Sequence, residues 1–170
     1  MQIRDANETD LAGILQIYND AVEHSTAIWN EQTVDLANRR AWLASHQAAG
    51  NAVLVAVDAE AQVLGYASFC AWRTQDGFRQ TVEHSVYVRD GQRGNGIGRA
   101  LLTQLIERAR QADMHVLIGA VDSANRDSIH LHQQLGFIHV GQLRQVGRKF
   151  HRWLDLTLMQ LTLGPRKDRP

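Results

Sequence analysis

The chain carries a single cysteine, Cys70, among its 170 residues. No intrachain disulfide is possible, and a reducing compartment is the expectation that follows. Proline is almost missing too, and both copies, Pro165 and Pro170, stand at the very end. The interior therefore offers no proline-rich linker, and no repeat or low-complexity tract interrupts it. Neither sign of charge is in excess, since 18 Lys and Arg face 18 Asp and Glu. A nucleic-acid reader ordinarily carries a basic surplus, so that class is set aside. No apolar run nears the roughly 20 residues that cross a bilayer. The polar opening segment also lacks the apolar core of a signal peptide. The expectation is a cytoplasmic protein without membrane or nucleic-acid partners. One domain is expected over residues 1–163, with a frayed polar tail over 164–170.

What is present reads as an ordinary globular chain, 44% hydrophobic and 21% charged. Leu11, Ile14, Leu15, Tyr18 and Val22 recur at helical spacing, with Asn7 or Thr9 as N-cap. A second helix is expected after Thr33, running through Trp42 and Leu43 to a stop at Gly50. The period then changes. Residues 52–57 and 63–72 are continuous apolar runs joined by a turn over 58–62, the pattern of a hairpin packed on both faces. Over 81–88, Val82, His84, Val86 and Val88 alternate with Glu83, Ser85 and Tyr87. A glycine-rich loop leads into an amphipathic helix carrying Leu101, Leu102, Leu105, Ile106 and Ala109. A buried strand is expected over 115–121, and a short helix over 125–135 ended by a left-handed Gly136. Two closing strands follow over 137–143 and 153–163. Hairpins first and β-α-β-α-β later predict an α/β (α+β) protein. Its central sheet should be mixed and mostly antiparallel, with helices on both faces.

The loop of Arg93, Gly94, Asn95, Gly96, Ile97 and Gly98 lies between a strand and a helix. Glycines let such a loop aim several N–H groups at one point, and the helix adds its positive end. A pyrophosphate suits that arrangement; a plain flexible turn is the alternative. A Walker loop would need Gly-Lys followed by Ser or Thr, and Gly98, Arg99 and Ala100 do not supply it. The dinucleotide fingerprint fails because Gly94, Gly96 and Gly98 are evenly spaced, although Asp122 stands where a ribose contact would be sought.

Arg93-x-x-Gly96-x-Gly98 resembles the coenzyme-A pyrophosphate loop of the GNAT N-acetyltransferase superfamily. Asn125-x-x-Ser128-x-x-x-His132, ending in Leu135-Gly136-Phe137, is similar to that superfamily's second cofactor segment. A closer likeness runs through Thr81-Val82-Glu83-His84-Ser85-Val86-Tyr87-Val88 and Val146-Gly147-x-Lys149-x-x-x-Trp153-x-Asp155. These resemble the phosphinothricin and methionine sulfoximine acetyltransferase branch, as do Trp72-Arg73, Gly77-Phe78-Arg79 and Ile17-Tyr18-Asn19. The resemblance implies an acyl-CoA N-acyltransferase fold, acetyl-CoA as co-substrate, no metal, a small amino-acid acceptor and a homodimer.

It also implies roles. Val86, Tyr87 and Val88 would meet the pantetheine arm and thioester, while Arg93 to Arg99 would hold the pyrophosphate. Asn125 and Ser128 would complete the cofactor site. Glu83 matches the catalytic glutamate; from the residue alone, a solvent-facing strand glutamate is the stronger reading. His132 stands where many members place a tyrosine acid, and would either protonate the leaving thiolate or only hydrogen-bond. His130 and His132 do not make a metal pair, because residues two apart on a helix point in different directions. His84 reads as a packed or hydrogen-bonded histidine, Asn125 also as a helix cap, and Cys70 as no nucleophile. Trp42 reads as packing; Trp29 either covers the acceptor or shields the core. Arg73 and Arg79 suit an acceptor carboxylate, unless both are solvated, with Gln75, Phe78 and Ser85 as further acceptor contacts. Two rivals remain: acetylation of a protein amino terminus or polyamine, and a non-catalytic acyl-CoA-binding module.

Overall fold

The computed structural model describes residues 1–164, so the expected tail beyond Gly164 lies outside the described residues. Two compact units divide the chain: Met1–Ser68 with Ser85–Leu105, and Phe69–His84 with the chain from Ile106 onward.

In the first unit β1 (Gln2–Asp5) pairs antiparallel with β2 (Val53–Val57), and β2 pairs antiparallel with β3 (Val63–Ala71). β1 has no counterpart among the expected strands, since four residues ending in Arg4 and Asp5 give no period to read. All five residues of β2 are buried, as its unbroken apolar run requires. The connecting turn is closed by Asp58, whose Oδ1 accepts the N–H groups of Glu60 and Gln62.

The helix α1 (Leu11–His24) buries Leu11, Ile14, Ile17, Ala21 and Val22. The stripe is thus centred on Ile17, and Leu15 and Tyr18 are only half-buried. Asn7 caps the 3-10 turn Glu8–Asp10 rather than α1 itself: its Oδ1 accepts from Thr9, and Asp10 returns the bond to the Asn7 N–H. α2 (Leu36–Ala48) starts from Asp35, whose carboxylate accepts the Asn38 N–H, and Gly50 follows its end at φ +70°. Leu11, Ile14, Ile17, Leu43, Val55 and Tyr66 form one apolar core. The last residues of β4 (Thr81–Val88) and most of α3 (Ile97–Gln111) also belong to this unit.

In the second unit the opening of β4 runs parallel to β5 (Val116–Asp122), with Glu83 opposite Ile118 and His84 opposite Gly119. β5 pairs antiparallel with β7 (Arg152–Thr162), and β7 with the edge strand β6 (Ile138–Lys149). Antiparallel pairing therefore dominates a mixed arrangement, as the sequence predicts. β6 is longer than expected because irregularities between His139 and Gly141 and between Leu143 and Gly147 break its alternation. The short helix α4 (Arg126–Gln134) is capped by Asn125, and Gly136 takes φ +91° just beyond it.

Gly13 lies inside α1, where alanine would ordinarily be favoured by about 1 kcal/mol. A Cβ there would sit 2.7 Å from Val63 Cβ on β3, a contact that a packed core resists at a cost of about 1–3 kcal/mol. Gly13→Ala is therefore expected to lower stability despite the gain in helix propensity. Thermal denaturation should show a fall of roughly 2–4 °C per kcal/mol lost; a rise in Tm would refute the contact.

Candidate active site

In the first unit β4 delivers Ser85, Val86, Tyr87 and Val88, all half-buried, toward the glycine loop. Arg89 pins the start of that loop: its backbone N–H donates to Leu64 O, and its Nε donates to Val63 O at 2.7 Å. Gly94 and Gly96 then take φ +81° and +77°, backbone angles that side-chain-bearing residues rarely adopt. No heavy atom lies within 4 Å of a Cβ built at either glycine, so the loop's surface is open. Gly96 O accepts the first helical bond, from Ala100, and Ile97 is buried as the helix begins. The first-turn N–H groups of α3 thus point out of the helix beside the loop. Arg93 and Arg99 are exposed, Arg93 lying 3.8 Å from Asp90, and the Asn95 amide donates to Gln92 O. Backbone donors, a helix start and exposed guanidinium groups fit a pyrophosphate.

In the second unit the first half of β4 carries the titratable groups. Glu83 is half-buried, and burial holds its carboxyl above the ordinary carboxylate range. Cys70, exposed at the end of β3, has its thiol raised first by burial and then by the Glu83 charge. His84 and His132 meet in the interior with Nε2 atoms 3.0 Å apart and ring centroids 5.0 Å apart.

Their protonation follows from the acceptors around them. A neutral imidazole carries one N–H. The Ser128 carbonyl can only accept, and it lies 2.6 Å from His132 Nδ1, so His132 carries its proton there. Its Nε2 is then an acceptor, and His84 must donate from Nε2. His84 Nδ1 is left as a buried acceptor without a partner. Burial, helped by the charge of His132, lowers His84 to about 3; burial also lowers His132, against the Ser128 bond, which raises it. Both rings are neutral at pH 7. His132 is thus a neutral hydrogen-bonding group with both nitrogens engaged. The pair also accounts for Gly119: a Cβ there would stand 3.0 Å from both Nε2 atoms. Phe137 closes the cluster edge-on to both rings.

Asn125 Oδ1 accepts the Ser128 N–H as the cap of α4, which leaves its amide N–H groups for other partners. Asp122 accepts the Ala124 N–H, a turn contact that engages the carboxylate spacing had offered to a ribose. His130 lies exposed against Gln134, away from the buried His132 ring. Among the described residues no three His, Cys, Asp or Glu side chains gather to hold a metal. Arg73, Gln75, Phe78 and Arg79 share one exposed loop containing the 3-10 turn Asp76–Phe78. Arg73 lies over the Trp72 ring, and Arg79 Nη1 donates to Asp76 O. Trp29 donates its indole N–H to Thr26 O, and Trp42 meets Tyr66 edge-on. Sequence reasoning passes over Arg39, which is only 8% exposed and lies over the rings of Tyr18 and Trp42. An arginine at an ordinary helix position reads as solvent-facing, so its aromatic neighbours were the signal available.

The acetyltransferase (GNAT) family model matches residues 14–137. The chain belongs to that family. An L-methionine sulfoximine/L-methionine sulfone acetyltransferase of Pseudomonas aeruginosa is 60% identical over 168 residues, spanning 99% of this chain and 98% of that protein. A phosphinothricin N-acetyltransferase of Streptomyces coelicolor is 37% identical, spanning 92% of each. Among solved structures, a GNAT phosphinothricin acetyltransferase from Sinorhizobium meliloti in complex with acetyl-CoA superposes with a TM-score of 0.94 at 34% identity. It covers 99% of this chain and 91% of that one.

The neutral histidine pair has a pH consequence. In the unfolded chain both rings would titrate near 6.5, whereas folding depresses both, His84 to about 3. Below pH 6.5 the unfolded state binds more protons, so the pair's stabilisation is complete above that pH and is lost as pH falls toward 3. Glu83, raised by folding, contributes in the opposite sense, its stabilisation fading as pH rises through its folded value. Urea midpoints should drop between pH 7 and pH 4.5, and His84→Leu should flatten that dependence. An equally steep dependence in the variant would contradict the assignment.

Proposed function

We propose that this acetyltransferase moves an acetyl group from acetyl-CoA to the α-amine of a small amino acid of the methionine sulfoximine, methionine sulfone or phosphinothricin type. The observation that carries the reading is the half-buried Glu83 on β4. Burial lifts its carboxyl toward the range where a carboxylate accepts a proton effectively from an ammonium. The substrate class is supported by relatives of those names that align along almost the whole chain. The same alignment supports treating residues 1–163 as one catalytic domain.

Acetyl-CoA, when bound, supplies an activated acetyl thioester. The loop of Arg93, Gly94, Asn95, Gly96, Ile97, Gly98 and Arg99 holds the pyrophosphate through backbone N–H groups and guanidinium charge. Val86, Tyr87 and Val88 present backbone groups to the pantetheine arm, and Asn125 and Ser128 add side-chain contacts. Glu83 takes the proton that the acceptor amine must lose, directly or through one water. His132, neutral and doubly hydrogen-bonded, orients the segment beside the leaving thiolate. Arg73, Gln75, Phe78, Arg79 and Ser85 contact the acceptor. Transfer is direct: the raised Cys70 thiol beside the Glu83 carboxylate is a poor nucleophile and forms no acyl-enzyme.

A second copy of the chain completes the assembly in this reading. The edge strand β6, its turn and β7 leave Ile138, Val140, Val146, Phe150 and Trp153 between 47% and 62% exposed, an apolar surface unusual for a monomer. No helix among the described residues is long and apolar enough to cross a membrane, in keeping with a cytoplasmic location.

Coenzyme-A release measured across a panel of amines tests the reading. Free amino acids with tetrahedral polar heads should react fastest; faster reaction of peptide amino termini or polyamines would transfer the assignment to them, and no release with any amine would leave only a binding module. Glu83→Gln should lower turnover by about 10²–10⁴-fold, with partial recovery at high pH where free amine is abundant. Gly96→Val and Gly98→Val should weaken acetyl-CoA binding in calorimetry while the fold persists. Unchanged affinity in both folded variants would remove the loop from the cofactor site.

A further inference from the structure

Packing does not set the shape of the glycine loop at its glycines. Gly91, Gly94 and Gly96 take φ +74°, +81° and +77°, and no heavy atom lies within 4 Å of a Cβ built at any of the three. Glycine gives up more backbone freedom on ordering than any other residue, so such a loop, left to itself, is costly to arrange around a ligand. Hydrogen bonds must do here what side chains do elsewhere.

Those bonds form a chain that starts at one residue. Half-buried Arg89 donates its backbone N–H to Leu64 O at 2.8 Å, its Nε to Val63 O at 2.7 Å and its Nη1 to Gln16 Oε1 at 3.1 Å. Its carbonyl accepts the Gln92 N–H at 3.0 Å, closing a turn in which Gly91 stands third, with the positive φ that a type II turn requires there. Gln92 O accepts the Asn95 amide at 3.3 Å, and Gly96 O accepts the Ala100 N–H at 3.0 Å as α3 begins. Arg93, by contrast, meets Asp90 within the loop itself. The planar guanidinium suits the task at position 89, because its donors keep a fixed spacing between a strand carbonyl and a helix side chain. Its anchor does not give way. Val63 is 3% exposed, and a Cβ on Gly13 of α1 would stand 2.7 Å from Val63 Cβ and 3.7 Å from Arg89 Nη2. The start of the loop is thus keyed to a tight helix–strand contact inside the first unit.

We propose that Arg89 is a positioning residue of the cofactor site, which sets the glycine loop in its pyrophosphate-binding shape before acetyl-CoA arrives. This rests on the acetyltransferase reading above, in which the loop from Arg93 to Arg99 holds the pyrophosphate. Arg89 acts through that loop and not on the reacting atoms. Without its side-chain bonds the cofactor must order the loop as it binds, and that ordering subtracts from affinity. The loss falls only on ligands that use the loop.

The test compares two acetyl donors with the full chain and L-methionine sulfone as acceptor. Acetyl-CoA carries the pyrophosphate; S-acetylpantetheine has the same thioester and arm without it. In Arg89→Met the KM for acetyl-CoA should rise about tenfold or more with little change in kcat, while kcat/KM for S-acetylpantetheine stays within about twofold of wild type. Arg89→Lys keeps the charge but lacks the planar fork, and should fall between the two. Equal losses with both donors would mean general damage to the fold, and an unchanged KM for acetyl-CoA would mean that the loop stands without Arg89; either result overturns the proposal. Should Arg89→Met fail to fold, Arg89→Lys is judged by the same ratio of donors. Calorimetric titration with coenzyme A reads the loss of affinity without turnover, so weaker binding to the folded variant supports the proposal even if no amine is acetylated. A wild-type enzyme that uses both donors equally well removes the loop from the cofactor site and takes the proposal with it. A preference for acetyl-CoA that survives intact in Arg89→Met defeats the proposal alone and leaves the loop's assignment standing.

Discussion

Two imidazole nitrogens held 3.0 Å apart have room for one proton between them. Two protons there would repel, and none would set lone pair against lone pair, so the contact exists only while each ring keeps its assigned tautomer. Much hangs from it. α4 has nine residues, too few to hold a helix by propensity alone, so tertiary contacts must seat it. His132 supplies one such contact through its ring and joins it to the backbone at Ser128. Phe137 and the Asn125 cap supply others. The position of the segment read as the second cofactor contact therefore depends on a proton's location inside the protein. The absence of a side chain at Gly119 is what lets the rings approach.

The arginines show how burial, rather than residue type, sorts charges into roles. In the loop around Asp76, guanidinium groups face water and find an indole or a carbonyl as occasional company. In the glycine loop, Arg93 and Arg99 are exposed, and Arg93 lies 3.8 Å from Asp90. Arg39 is different, because burial and stacking on two rings hold it in one place.

Much of this was legible without coordinates, for reasons that can be stated. The runs around β2 and β3 and the stripe on α3 carry strong periods, so the sequence places those elements within a residue or two. The cap of α4 and the turn at Gly136 use residue types whose backbone habits are narrow. β1 was invisible because four residues with two charges have no period, and β6 looked short because its irregularities reset the alternation. The glycine loop stood out by its residues and its place between strand and helix, whereas Glu83 and His132 were singled out by the family resemblance. The His84–His132 contact could not, since it joins residues 48 apart and depends on a glycine opposite His84. Arg39 escaped in part for the same reason: Trp42 is its neighbour one turn along α2, but the ring of Tyr18 comes from another helix.

The proximity of Cys70 to Glu83 turns the chain's lone thiol into a natural gauge of that carboxylate. The thiol is exposed enough for small alkylating reagents, and its ionisation is suppressed in part by the Glu83 charge. Its alkylation rate at a fixed pH therefore registers whether the carboxylate is charged. Protonating or neutralising Glu83 removes its share of that suppression, while the larger share, from burial, remains. A single-site label at this position would report the charge of Glu83 without any engineered cysteine, because the rest of the sequence contains none to compete.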